Sequence, residues 1–139
     1  MIRVEVATDL APCFALRREV FIEEQQVPEA EEWDELDGVA VHLLATVDSK
    51  PMGTARLFKA DGYGKIGRVC VAKPARGTGL GAVLMRAAIE HFRAEGEVAK
   101  LKLSAQSYAI GFYERLGFEA HGPEYDDAGI PHRDMTLTL

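Results

Sequence analysis

One stretch of the sequence, RVCVAKPARGTGLGA at residues 68–82, runs from an apolar strand through a glycine-rich loop into a helix. Gly77, Gly79 and Gly81 stand at alternate positions, and residues without side chains let the backbone come close to a ligand. The free N–H groups of a new helix and its dipole attract phosphate, and Arg76 adds a cation beside them. The stretch therefore predicts a phosphate-binding loop, with a tight turn that binds nothing as the alternative.

The segments around this loop predict a mixed sheet. Alternating apolar residues predict strands at 2–6, 42–47, 52–59, 66–71, 101–103 and 135–139, and helical spacing predicts helices at 10–25, 80–95 and 107–116. The glycines and prolines of residues 122–131 predict a loop, after which the chain ends as an edge or hairpin strand. This order predicts an α/β (α+β) fold, with a mixed, mostly antiparallel central sheet flanked by helices in a single domain at 1–139.

Composition limits the function classes. The chain has 139 residues, of which 47% are hydrophobic, and its 16 Lys and Arg against 22 Asp and Glu give a net charge of −6. Such a charge argues against nucleic acid and anionic membranes as partners. Cys13 and Cys70 lie in apolar surroundings, which favours two reduced thiols over a disulfide. With an N-terminus too charged for a signal peptide and no apolar run approaching ~20 residues, the sequence predicts a soluble, cytoplasmic protein.

The loop alone does not identify the phosphate ligand. Gly77-x-Gly79-x-x-Ala82 also satisfies the loose dinucleotide fingerprint. A dinucleotide fold, however, places that loop after its first strand and continues with further parallel units, and here several strands precede the loop. A Walker A loop is excluded because no Gly-Lys-Ser/Thr ends the run. A dinucleotide oxidoreductase remains only as a minor alternative.

In this context the loop resembles that of the GNAT superfamily of N-acetyltransferases. Its pyrophosphate motif, Gln/Arg-x-x-Gly-x-Gly/Ala, is matched by RGTGLG at 76–81, and FYERLGF at 112–118 looks like the family's helix-to-strand signature. The resemblance covers nearly the whole chain. Looser matches to the small ElaA-like or YjcF-like bacterial branch are VFIEEQ at 20–25, ELDG at 35–38, His42-Leu43 and GIPH at 129–132.

The resemblance implies acetyl-CoA as acyl donor and no metal. Residues implied to bind the pantetheine arm through their backbone are Val69, Cys70 and Val71, and those implied to wrap the pyrophosphate are Arg76, Gly77, Thr78, Gly79, Leu80 and Gly81. Gln106 stands where the family usually has Asn and is a further candidate contact. A strand edge that splays away at Val71 would offer unpaired N–H and C=O groups to an amide-rich ligand, and one N–H could stabilise an oxyanion.

Acyl transfer to an amine needs a proton donor and a proton acceptor. The resemblance makes Tyr113 the candidate donor, with a purely structural aromatic as the alternative. His42 is the candidate base because imidazole titrates near neutral pH, although Glu24, Tyr63 and His132 stay open and a structural His42 is an alternative. Cys70 has no adjacent base to activate it, so direct attack without an acyl-enzyme is expected.

The sequence thus predicts an acyl-CoA-dependent N-acetyltransferase, with a catalytically silent CoA-binding module as the alternative. Eight acids and no Lys or Arg lie between Glu23 and Asp37. They form either a solvated face or an electronegative rim for a cationic acceptor. The predicted partner is a small-molecule primary amine, and paired C-terminal strands suggest a homodimer by analogy.

Overall fold

Seven strands form one mixed sheet in the order β1-β2-β3-β4-β5-β7-β6. In the computed structural model, which describes residues 1–139, the strands are β1 (Ile2–Val6), β2 (Val41–Val47), β3 (Lys50–Ala60), β4 (Tyr63–Val71), β5 (Lys100–Gln106), β6 (Glu119–Asp127) and β7 (Ile130–Thr138). Only the β4–β5 pair is parallel, and all other neighbours are antiparallel. The predicted mixed, mostly antiparallel sheet is confirmed.

The helices lie on both faces of this sheet. They are α1 (Ala11–Arg17), which continues as a π-helical segment (Arg18–Glu24), α2 (Glu29–Glu32), α3 (Leu80–Glu95) and α4 (Ile110–Glu114), with 3-10 turns at Glu35–Gly38, Lys73–Ala75 and Ser107–Ala109. None of these helices has the length and apolar character of a membrane-spanning helix.

Two apolar clusters attach the helices to the sheet. On one face, α3 buries its apolar stripe, including the fully buried Leu84 and Ala88, against the central strands. On the other face, α1 buries Cys13 and Leu16 against Cys70 of β4. Strand β4 is therefore covered on both faces, and its edge beyond Lys65 opens to a cleft.

The predicted helix from Leu80 to about Glu95 is confirmed, and Gly79 and Gly96, both with positive φ, bound it. The predicted loop at 122–131 is wrong, since these residues belong to the β6–β7 hairpin. Gly122 and the following Pro sit where the pairing register shifts between His121 and Tyr125, a bulge in an edge strand that tolerates both residue types. The predicted helix at 107–116 divides into a 3-10 turn and the short α4.

Candidate functional site

The cleft arises where β4 and β5 separate. They pair only at Tyr63↔Lys100, Gly64↔Leu101 and Lys65↔Lys102. Beyond Lys65 the edge of β4 that faces β5 has no strand partner. The two strands diverge there and form opposite walls of a cavity of about 850 Å³. Unpaired backbone N–H and C=O groups along such an edge can bind an extended ligand that carries amides, as an added strand would.

A bulge lies in the middle of β4, in its pairing with β3. The β3–β4 register shifts so that Thr54 pairs with Cys70 while Arg56 pairs with Gly67. Arg68 adopts a φ of 50°, a left-handed conformation that is unusual and costly for a residue with a side chain. Bulges of this kind redirect side chains and backbone next to active sites. Here the bulge places Arg68 in the cavity wall, where its Nε lies 3.1 Å from a carboxylate oxygen of Glu32.

The glycine-rich loop closes one end of the cavity. Gly77 and Gly79 have φ values of 78° and 89°, so both need the freedom of glycine. Gly79 is the N-cap of α3, and no side chain caps the first turn. The N–H groups at this helix start are therefore free to bind an anion, and the helix dipole favours one there.

Arg76 connects this loop to the opposite wall. Its Nε donates a hydrogen bond to the Val71 carbonyl at 3.0 Å, and Nη1 and Nη2 bind the Glu24 carboxylate at 2.6 and 2.8 Å. The hydrogen bonds from Arg76 lower the pKa of Glu24, and Glu24 in turn raises the pKa of Arg76. The bidentate pair thus links two segments that are distant in sequence and partly neutralises the cation beside the loop.

Tyr113 reaches the cavity from α4. The residue is 9% exposed, its ring lies between Phe112 and Phe118 at centroid distances of 5.0 and 6.1 Å, and it lines the cavity. Burial raises the pKa of its hydroxyl, so Tyr113 stays protonated and can act as a proton donor. Burial also raises the pKa of the Cys70 thiol to about 12, which keeps that sulfur protonated and poorly nucleophilic.

The other end of the cavity is built by side chains from several segments. The π-helical segment has i→i−5 hydrogen bonds, such as Gln25 N–H to the Val20 carbonyl at 3.0 Å, and such wide turns are frequent at functional sites. Gln25 accepts a hydrogen bond from Gln106 of β5 at 2.8 Å. Cavity residues contributed at this end by α2, β5 and the hairpin are Glu31, Glu32, Ser104, Asp127, Ala128, Ile130 and His132.

A buried ion network supports this second end. Arg17 is fully buried, its Nε binds Glu32 at 2.8 Å, and its Nη1 binds Asp37 at 2.6 Å. Arg56 also binds Asp37, at 3.1 Å, and Asp34 at 2.7 Å. Burial by itself would raise the pKa of Asp37, but hydrogen bonds from the two arginines lower it to about 2. The eight acids between Glu23 and Asp37 are therefore neither all solvated nor all part of an electronegative rim, because Glu32, Asp34 and Asp37 bind the buried arginines.

The cavity brings together ten of the twelve predicted site residues. They are Val69, Cys70, Val71, Arg76, Gly77, Gly79, Leu80, Gly81, Gln106 and Tyr113. Thr78 does not line it, since its hydroxyl binds the Ala75 carbonyl within the loop. His42 also lies elsewhere: it is 2% exposed on β2, with Nε2 3.0 Å from the Asp37 carbonyl. Its ring packs against Phe14, so the imidazole does not reach an amine in the cavity.

Sequence reasoning did not identify the cavity residues Ser104 and Tyr108 as site residues. No local motif marks them, because each comes from a segment that the sheet brings in from another part of the chain. Tyr108 is the more conspicuous, since it lines the cavity and is 81% exposed.

Comparisons with known proteins agree with this architecture. Residues 5–139 match the family model of the acetyltransferase (GNAT) domain. YjcF of Bacillus subtilis (strain 168), described as an uncharacterized N-acetyltransferase, is 41% identical over 127 residues, which cover 91% of this chain and 90% of YjcF. The predicted resemblance to this superfamily is therefore confirmed.

Two solved structures have the same fold over their whole length. An acyl-CoA N-acyltransferase from Pseudomonas aeruginosa superposes with a TM-score of 0.86 at 32% identity, covering 99% of both chains. Escherichia coli ElaA superposes with a TM-score of 0.88 at 28% identity, again covering 99% of both chains.

Proposed function

This chain belongs to the GNAT family of acetyltransferases, and we propose that it transfers an acetyl group from acetyl-CoA to a primary amine by direct attack. The proposal rests on one observation: the unpaired edge of β4 and the glycine-rich start of α3 lie in the same cavity. The edge suits the amides of a pantetheine arm, and the helix start suits a pyrophosphate.

Acetyl-CoA would supply the activated thioester, and the chain would orient it. Val69, Cys70 and Val71 offer backbone groups to the pantetheine, while Gly77 and Gly79 let the loop backbone approach the phosphates. An N–H group beside the bulge at Arg68 would stabilise the oxyanion that forms on the thioester carbonyl.

The reaction needs no covalent enzyme intermediate. The amine nitrogen attacks the thioester carbon, the new C–N bond forms, the C–S bond breaks, and the nitrogen loses one proton. The leaving thiolate of CoA receives a proton from the buried Tyr113 hydroxyl. The high pKa of Cys70 supports direct attack, since a protonated thiol is a poor competitor for the acetyl group.

The charge of the second end of the cavity favours an acceptor that carries an additional positive charge. Arg76 is engaged by Glu24, and Arg68 by Glu32, so these four charges largely cancel. Glu31 and Asp127 line the same cavity, and their carboxylates form no salt bridge within the chain. We therefore propose a diamine or a similar cationic amine as the acceptor class.

The test measures acetyl-CoA binding by calorimetry and CoA release with a diamine and with a neutral primary amine of equal length. We expect binding, turnover that is faster for the diamine, and a fall in kcat of roughly 100-fold in Y113F with unchanged CoA affinity. Absence of CoA binding would overturn the proposal. Binding without turnover of any amine would instead support a catalytically silent CoA-binding module, and equal turnover of both amines would overturn the acceptor class alone.

A further inference from the structure

We propose that His132 is the general base that takes the proton from the attacking amine, an inference that rests on the proposed acetyl transfer. His132 lies on β7, where it pairs with Gln106 of β5 on one side and with Tyr125 of β6 on the other. Directly paired residues of antiparallel strands project from the same face of a sheet. His132 therefore stands in the middle of a three-residue row, and it is the only imidazole that lines the cavity.

One hydrogen bond determines which ring nitrogen is basic. Nδ1 of His132 lies 2.7 Å from the backbone carbonyl of Ile130. A carbonyl oxygen only accepts hydrogen bonds, so Nδ1 carries the proton and donates it, and Nε2 of the neutral ring holds the free lone pair. Nε2 has no partner within the chain. This is the tautomer that a base for a cavity-bound amine requires.

Tyr125 positions the ring. The two rings are stacked, with centroids 6.2 Å apart and planes inclined by 23°. The Tyr125 hydroxyl donates to Asp134 at 2.7 Å and is also hydrogen-bonded to Ser104. Burial raises the pKa of Tyr125, which keeps the phenol neutral and the network intact. Tyr125 is a positioning residue for His132 rather than a participant in the chemistry.

Most charged groups around the imidazole are paired with one another. The charged groups that line the cavity or contact Tyr125 and its partners are Asp127 of β6, Asp134 of β7, Lys102 of β5, and Glu24, Glu31, Glu32, Arg68 and Arg76 of the facing walls; the cavity also contains the Tyr108 and Tyr113 phenols and the Cys70 thiol. Lys102 lies 3.7 Å from Asp134, and the two arginines are paired with Glu24 and Glu32. The remaining charges, on Glu31 and Asp127, are negative, so no unpaired cation among these groups opposes the positive charge that the ring gains in the step.

The proton balance is complete. The attacking nitrogen bonds to the acetyl carbon, and Nε2 of His132 accepts the proton that this nitrogen loses. Tyr113 gives its proton to the CoA thiolate. The imidazolium then releases its proton toward Tyr113 or solvent, so both groups return to their starting states and the products are an amide and CoA.

The test compares the pH profiles of kcat/KM for the wild type, H132N and H132A, with CoA affinity measured in parallel. We expect roughly 100-fold slower turnover in both variants and CoA affinity unchanged within about twofold. Two groups must be deprotonated in the wild type, the amine and His132, so the slope of log kcat/KM against pH should approach about two on the acid side. In the variants only the amine must lose a proton, so the slope should be about one. Added imidazole should restore part of the activity of H132A. H121N, which removes the exposed imidazole of β6, is the matched control and should behave as the wild type.

Y125F and Y125L test the positioning. Y125F keeps the stacked ring, so we expect a loss of about threefold to tenfold, and a larger loss in Y125L, each with the acid limb retained. Turnover in H132N within about twofold of the wild type, with the same acid limb, would overturn the proposal while leaving the acetyltransferase function standing. A wild type that binds acetyl-CoA but acetylates no amine would overturn the function, and the role of His132 with it.

Discussion

The two ends of the cavity differ in the chemical groups that form them. The end at the glycine-rich loop uses backbone groups of β4 and of the α3 N-terminus, all within residues 68–82. The opposite end, which we call the acceptor end, uses side chains from the segment at 18–38, from β5 and from the β6–β7 hairpin. A backbone site depends on local conformation, whereas a side-chain site depends on whatever holds distant segments together. Different substitutions should therefore disrupt ligand binding at the two ends.

The largest difference should appear when Arg17 is removed. R17M leaves the buried Glu32 and Asp37 carboxylates without their main partner, and breaking a buried pair in this way costs about 3–5 kcal/mol. We expect that loss in the free energy of unfolding measured with urea. In the fraction that remains folded, KM for the amine should rise while CoA affinity stays constant, because Arg17 supports only the acceptor end.

The neighbouring residue provides the control for this comparison. R18A breaks the exposed pair with Glu29, and exposed pairs contribute about 0–1 kcal/mol. R17K keeps the positive charge but lacks the planar guanidinium that binds both carboxylates. Its loss of unfolding free energy should therefore fall between those of R17M and R18A. Equal unfolding free energies for R17M and R18A would show that the buried network does not stabilise the fold, and an unchanged KM for the amine in R17M would show that it does not support the acceptor end.

The same network should give the protein a specific sensitivity to acid. The pKa of Asp37 is lowered from 3.8 to about 2, so its stabilising contribution is complete above pH 4 and is lost as the pH falls from about 4 to 2. The shift corresponds to about 2 kcal/mol. Urea unfolding of the wild type and D37N at pH 5, 4 and 3 should show the difference between them shrinking in that window. A difference that does not change with pH would contradict this account of Asp37.

The contrast between the two ends also explains what could be predicted from the sequence. The glycine-rich turn and α3 were predicted correctly because the alternating glycines, the helical period and the Gly96 stop are all local signals. The ion network was invisible because Arg17, Arg56 and the acidic run lie in separate segments, and nothing in their spacing indicates contact. The distance of His42 from the cavity was invisible for the same reason: its sequence neighbours do not reveal that β2 lies two strands from the cleft.

A glycine substitution tests the loop end with an internal control. Gly79 and Gly96 bound α3 at opposite ends, both have positive φ, and an added Cβ would have nothing within 4 Å at either position. G79A and G96A should therefore lose similar stability, about 1–2 kcal/mol, from backbone strain alone. Only G79A should weaken CoA binding, by about tenfold, since only Gly79 borders the cavity. Equal CoA affinities in the two variants would mean that the loop does not hold the phosphates.

The smallest expected effect lies where the two ends meet, at the pair of Glu24 and Arg76. The Arg76 guanidinium binds the Glu24 carboxylate through both of its terminal nitrogens. A bound pyrophosphate would compete with that carboxylate for the same two N–H donors. E24Q removes the charge of the competitor, so CoA affinity should rise about twofold to fivefold at low salt, the range that an exposed pair allows, and less at high salt. E29Q, which removes an exposed carboxylate from Arg18, should leave CoA affinity unchanged. If E24Q instead weakens CoA binding, Glu24 orients Arg76 rather than competes for it, and the loop end would then depend on a distant side chain as much as the acceptor end does.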